Sequence, residues 1–237
     1  MSEWVKKRFW ADAKVVAQPG GWTVTLDGRA VKTPLKAALV LPTEAFAEAV
    51  AREWDAVGEI IDPNAMPFTR AANAAIDKVT PQRAEVIDLL ADYGGNDLLC
   101  YRAGWPEGLV ARQQEVWDPI LDWAADRFGG RLNTVIGVIP TAQDRKVLAT
   151  MRAALEAMTP FQLTGAHDLI SLSGSLVLAF AVIERAQPPE TAWEASRIDE
   201  AWQIGEWGTD DEAEAAAAIK RADFLRAGEI YWLSAPD

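Results

Sequence analysis

The hydrophobic period changes partway along the chain, and that change limits the fold more than any other feature. From Phe9 to Leu41 apolar residues recur at every second position, through KVVAQ, GGWTVTLDGRAVKTP and AALVLP. In WTVTL, Trp22, Val24 and Leu26 point one way while Thr23 and Thr25 point the other, the alternation of a strand. Pro19-Gly20-Gly21 and Asp27-Gly28 are turn signals, and Asp-Gly between short strands marks a two-residue hairpin. After Thr43 the period becomes helical: PTEAFAEAVAREWDAV carries Phe46, Val50 and Trp54 at four-residue spacing behind Thr43 as cap. The segment IIDPNAMPFTRAANAA reads as a loop feeding a short helix, and from Thr80 onward nearly every segment reads as helix. The expected fold class is α+β. A small N-terminal antiparallel β-rich domain with one helix, residues 1–75, precedes a larger all-helical domain, residues 76–237.

Punctuation divides the helical part. Thr80-Pro81 and Thr159-Pro160 each place a capping residue before a proline at the first helical position. Thr209 with Glu212 three residues later forms a capping box. Pro119 falls inside the helical pattern of 107–128 and is expected to kink or divide it. Pro188-Pro189 separates the apolar helix at 173–186 from an amphipathic one. LNTVIGVIP, a β-branched run between Gly130 and Pro140, allows one short strand.

Charge and composition exclude several functions. The 237 residues are 50% hydrophobic and 24% charged, with a net charge of −12, the profile of a globular protein long enough to bury a real core. That charge argues against nucleic acid, whose phosphates require a basic face, and against an anionic membrane surface. No apolar run is long enough to span a bilayer; SGSLVLAFAVIERA is too short and ends in charge. The start, MSEWVKKRFWADAKV, has neither the apolar core nor the cleavage site of a signal peptide. A single cysteine, Cys100, makes no internal disulfide and suits a reducing compartment. The expected location is cytoplasmic, or the matrix for a processed protein.

The stretch DYGGNDLLCYRAGW has the residue types of an active site, but nothing completes the chemistry. With one histidine, His167, and one cysteine, a zinc site has no ligand set. A Cys100–His167 nucleophilic pair has no third orienting group implied by spacing. No P-loop or GxGxxG pattern occurs, and the nearest approach to GxSxG, Ser171 to Ser175, lacks its flanking glycines. Asp92, Asp97 and Asp168 could bind magnesium, but scattered acids in an acidic protein more often form solvated faces or caps. No cofactor and no metal are expected.

Tryptophan stands out instead. There are eleven, several beside acids: Glu53-Trp54-Asp55, Trp117-Asp118 and Glu206-Trp207. Most suit a core. The segment EASRIDEAWQIGEWGTDDEAEA differs, because on a helix Ile198 and Trp202 share one face while Asp199, Gln203 and Glu206 lie on another. Its acids have no lysine one turn away to pair with. An acidic, aromatic-edged surface suits protein recognition, and the candidate binding residues are Asp199, Glu200, Gln203, Glu206 and Trp207. Two other readings stay open on these residues alone: a hydrolase or transferase using Cys100 or the carboxylates, and a generic acidic adaptor.

RFW, GGWTVTLDGRAVKTP, LPT, AREWDA, MPFTR, AAID, DLLCYRA, QQEVWDPILDW and WQIGEWGTDDEAEA occur in this order from Phe9 to beyond Ala215. In this combination the chain resembles the ATP-twelve family, the assembly chaperones that bind the α subunit of the ATP synthase catalytic head in mitochondria and alphaproteobacteria. The resemblance implies a non-enzymatic chaperone, monomeric when free, with a β-rich N-terminal and a helical C-terminal domain. It implies a client, the free α subunit, held on the surface that later faces β. The lack of a leader fits a bacterial member. Asp97, Cys100, Tyr101 and Trp117 resemble family landmarks that pack the helical domain, with Gly94-Gly95 turning the chain between helices.

Overall fold

The computed structural model describes residues 7–235; the reading of residues 1–6 as carrying no signal peptide lies outside the described residues. A small antiparallel three-stranded sheet opens the chain and a larger helical region follows it. Two compact units emerge: residues 1–83 with 159–165 and 229–237, and residues 84–158 with 166–228.

In the first unit, β1 (Ala13–Gln18), β2 (Gly21–Leu26) and β3 (Arg29–Ala30) pair in that order, all antiparallel. Asp27 and Gly28, with φ of 48° and 80°, form the two-residue turn between β2 and β3, the geometry that Asp-Gly favours. The strand expected in AALVLP is reduced to isolated bridges, with Trp22 and Leu41 exchanging backbone hydrogen bonds at 2.9 and 2.7 Å. Val24, Leu39, Leu41, Phe46 and Val50 are buried together in the core against this sheet.

Helix α1 (Glu44–Ala56) begins where expected, with Thr43 Oγ1 accepting from the Phe46 N–H at 3.1 Å. Its Glu53 reaches helix α2 (Pro67–Ala74) and accepts from the N–H groups of Phe68 and Thr69 at 2.7 and 2.8 Å. The missing side-chain cap of α2 is thus supplied by a carboxylate from another helix, which also suits the positive end of its dipole. Asp77 accepts from Thr33 Oγ1 at 2.7 Å and from the Leu35 N–H at 3.1 Å. Arg8 donates to the carbonyls of Trp10, Asp55 and Val57. AREWDA, MPFTR, AAID and RFW therefore correspond to long-range polar ties, each satisfying backbone groups that would otherwise lack partners.

Helix α3 (Arg83–Asp92) starts later than the Thr80-Pro81 signal suggests, because the Thr80 hydroxyl donates back to the Ala75 carbonyl at 2.7 Å. In the second unit α4 (Glu107–Phe128) is one helix, with Pro119 inside it and no division there. A parallel pair, β4 (Tyr101–Arg102) and β5 (Val135–Ile136), accounts for the strand allowed in LNTVIGVIP. After α5 (Arg145–Glu156), α6 (Pro160–Ser173) opens with a reciprocal cap: Thr159 Oγ1 accepts from Gln162 N–H at 3.2 Å, and Gln162 Oε1 from Thr159 N–H at 2.8 Å. Every residue of α7 (Leu176–Ile183) is buried, so the most apolar segment of the chain is a core helix. Among the described residues no helix is long and apolar enough to cross a membrane. Helices α8 (Pro189–Ser196), α9 (Ile198–Trp207) and α10 (Asp211–Ser234) complete the chain.

The DYGGNDLLCYRAGW stretch is internal. Asp97 is fully buried and accepts from Leu99 N–H, Ser175 Oγ and Val177 N–H at 3.0, 2.7 and 2.9 Å, the last in the first turn of α7. Trp117 is also fully buried and donates its indole N–H to the Ala195 carbonyl at 2.8 Å, with the Arg102 guanidinium 5.3 Å from its ring. These residues join elements of the second unit.

Candidate functional site

Helix α9 owes its position to two residues on its inner face. Ile198 is buried, and half-buried Trp202 lies across Gly108 in the first turn of α4; a Cβ at Gly108 would sit 2.5 Å from the indole ring. The face expected from the spacing of Ile198 and Trp202 is therefore the one that packs. Gly208, at φ 79°, ends the helix, a conformation in which glycine bears no Cβ penalty. Asp210, rather than Thr209, caps α10, accepting from the Ala213 N–H at 2.7 Å. The expected Thr209–Glu212 capping box therefore does not form: the cap is Asp210, and the residue three positions on is Ala213, which has no polar side chain to reciprocate.

Between the outer face of α9 and the first turns of α10 runs a groove of about 550 Å³, lined by Arg197, Glu200, Gln203, Ile204 and Trp207 on one side and Asp210 and Glu214 on the other, so that one cation stands among its acids. Glu200, Gln203, Ile204 and Trp207 stack at helical intervals of three and four. Trp207 is 81% exposed. Trp117 is buried and Trp54 half-buried, so of the acid-flanked tryptophans named from the sequence, Trp54, Trp117 and Trp207, only Trp207 offers its ring to a partner. Residues 199–214 hold seven acids and no lysine or arginine.

The five candidate residues divide. Glu200, Gln203 and Trp207 line the groove, whereas Glu206 and Asp199 do not. Asp199 accepts from the Nε2 of buried Gln113 at 2.6 Å, and so faces inward. Glu200 has an ion-pair partner after all: Arg197 Nη1 lies 2.9 Å from its carboxylate, while the Arg197 guanidinium stacks over Trp193 at 5.6 Å. The partner is an arginine three residues back, which a search for lysine one turn away passes over. Among the described residues the side chains of Gln203 and Glu206 make no hydrogen bond or ion pair. Sequence reading missed Gln113, Arg197 and Ile204; the spacing of Ile204 to Trp207 on the polar face was the available signal for the last.

The chemistry open to other groups is limited. The Cys100 thiol is buried, and desolvation with the nearby Asp97 charge pushes its pKa up to about 12, the opposite of an activated thiolate. His167 and Asp168 are in contact at 2.9 Å, and the Asp168 hydrogen bond raises the histidine pKa against the effect of burial. Among the described residues no three His, Cys, Asp or Glu side chains gather as a metal site.

Comparison with known proteins places this architecture. A family model described as ATP12 chaperone protein matches residues 7–125. Protein atp12, mitochondrial, of Schizosaccharomyces pombe is 23% identical over 220 residues, covering 87% of this chain and 75% of that protein. The crystal structure of Atp12 from Paracoccus denitrificans matches with a TM-score of 0.95 at 50% identity, over 98% of this chain and 100% of the other. An aspartate-to-lysine mutant of P. denitrificans Atp12p gives the same TM-score and identity over 99% and 100%. The chain belongs to the ATP12 chaperone family, the chaperones of ATP synthase assembly.

Proposed function

We propose that this chain binds the unassembled α subunit of the ATP synthase catalytic head and keeps it from aggregating until it pairs with β. A free ring subunit exposes surface that the finished assembly buries, and obligate interfaces of that kind are unusually apolar. Left open, such surface aggregates. Holding it requires no ATP: when the chaperone binds more weakly than the true neighbour, mass action displaces it. The protein has no catalytic step to perform on this reading, and the buried, high-pKa thiol of Cys100 is in keeping with that.

The binding face proposed is α9, with Glu200, Gln203, Glu206 and Trp207 toward the client and Asp199 behind them. The observation that carries this is the exposed ring of Trp207 beside an acid-rimmed groove. An aromatic anchor supplies contact area, and the acids speed encounter with a basic patch. The net charge of −12 supports a monomer when free, through self-repulsion. We also propose a cytoplasmic protein whose domains are residues 1–75 and 76–237, the boundary where the period changes.

The test is capture of separately purified α and β subunits by the tagged protein. Retention of α in preference to β is expected. Retention of β alone, or of neither, would overturn the assignment.

A further inference from the structure

Away from the α9 groove, exposed large apolar side chains concentrate on one loop and its neighbour. Ile136, Val138 and Ile139 are 74%, 87% and 77% exposed, and Trp105 is 80% exposed. Gly104, beside Trp105, lies so close to Ile136 that a Cβ there would sit 2.9 Å from Ile136 Cγ2. The two segments therefore meet. Residues 132–143 include no charged side chain, in a chain that is 24% charged.

The loop is built rather than loose. At its neck the Asn133 N–H donates to Gln143 Oε1 at 2.7 Å, and Gln143 Nε2 donates to the Asn133 carbonyl at 3.0 Å. Asn133 Nδ2 donates to the Ala142 carbonyl at 2.9 Å. At its root β5 pairs with β4, and the Gly137 N–H donates to the Arg102 carbonyl at 3.0 Å. A loop closed at the neck with its apolar tip in water is pre-organised, so little ordering entropy is lost when a partner covers it. Holding such side chains in water is unfavourable until something does.

Charge selects the occupant. At −12 a second copy is repelled, and so is an anionic bilayer, which the uncharged tip has no lysine or arginine to hold. An apolar face on a different protein remains. We propose that Trp105, Ile136, Val138 and Ile139 form a second docking surface, covering apolar subunit-interface surface of the client; the client's identity rests on the reading above. The patch is tied to α9 through one buried amide. Ala103, two residues before Trp105, donates its N–H to Gln113 Oε1 at 2.8 Å, and Gln113 Nε2 donates to Asp199 at 2.6 Å. A client that spans both faces binds the second as an intramolecular step.

The experiment places a photo-crosslinking amino acid at position 138. The labelled protein is irradiated alone, with purified α subunit, with purified β subunit, and with phosphatidylcholine–phosphatidylglycerol vesicles. In parallel, the double variant Val138→Asp/Ile139→Asp is assayed for suppression of α-subunit aggregation. An adduct with α is expected, together with a loss of protection of about fivefold or more at unchanged Tm, as for an interface anchor. An adduct with β alone keeps the docking surface and overturns the client assigned above. Adducts only between copies of the chain, label found only in lipid, or full protection by the double variant would each overturn the patch. Loss of protection in the loop variant beside full protection by Glu200→Lys would keep the patch and remove α9.

Discussion

The buried amide of Gln113 bridges two elements: it donates to Asp199 Oδ1 at 2.6 Å and accepts from the Ala103 N–H at 2.8 Å. Gln113 is 1% exposed, so neither of its polar ends can fall back on water. Asp199 is thus the acceptor that completes this bridge, and its role is to position α9. Asp199→Asn keeps an acceptor oxygen and should change stability by less than about 1 kcal/mol, because the hydrogen bond survives in neutral form. Asp199→Ala leaves a buried donor unsatisfied and should cost roughly 1–3 kcal/mol. Urea unfolding of the two variants distinguishes them. Equal losses would show that the charge of Asp199, rather than its acceptor, matters.

Glu200 lies on the groove side of the same helix, and its partner Arg197 is partly exposed. Exposed pairs contribute about 0–1 kcal/mol, so Glu200→Lys should alter Tm little while weakening capture of the α subunit. The wild-type interaction should also weaken as salt rises, since exposed charges are screened over about 8 Å at physiological ionic strength. Aggregation assays at two ionic strengths measure both effects. Equal protection by wild type and variant would exclude this face.

Cys100→Ser should leave client protection intact. The thiol is buried and its pKa is raised by desolvation, so it serves packing; the serine hydroxyl costs stability of roughly 1–3 kcal/mol where no partner is available. Loss of protection in a variant that still folds would contradict this.

Burial also raises the Asp97 carboxyl, from 3.8 to about 6, against the opposing hydrogen bonds from Val177, Ser175 and Leu99. The folded state then holds this proton more tightly than the unfolded chain. The cost of the ionised form is full above pH 6 and is relieved as the pH falls toward the unfolded value. Asp97→Asn has no proton to take up. The stability of wild type relative to that variant should therefore rise between about pH 7.5 and about pH 5 in urea titrations. Parallel profiles would contradict a raised pKa.

Local signals were legible wherever the physics is local. Asp27-Gly28 specifies its turn, and Thr43 and Thr159 cap the helices that follow them. Spacing alone puts Ile198 and Trp202 on one shared face, and that face is the one that packs. What could not be read depends on partners far along the chain: Gln113 and Asp199 are 86 residues apart, and Glu53 caps a helix 15 residues on. Thr80 carries the same cue as Thr159 but bonds backward to Ala75, because a hydroxyl can serve a preceding carbonyl as readily as a following N–H. The acids of α9 look alike in sequence, yet one faces a buried amide, one an arginine and one only solvent.

The central claim is best tested by light scattering from purified α subunit diluted into buffer, with and without an equimolar amount of this protein, and with β subunit as the parallel client. The account predicts that α stays in solution with the protein present, that β gains no such protection, and that adding β to the α complex releases the chaperone. Aggregation of α at the same rate with and without the protein would contradict it.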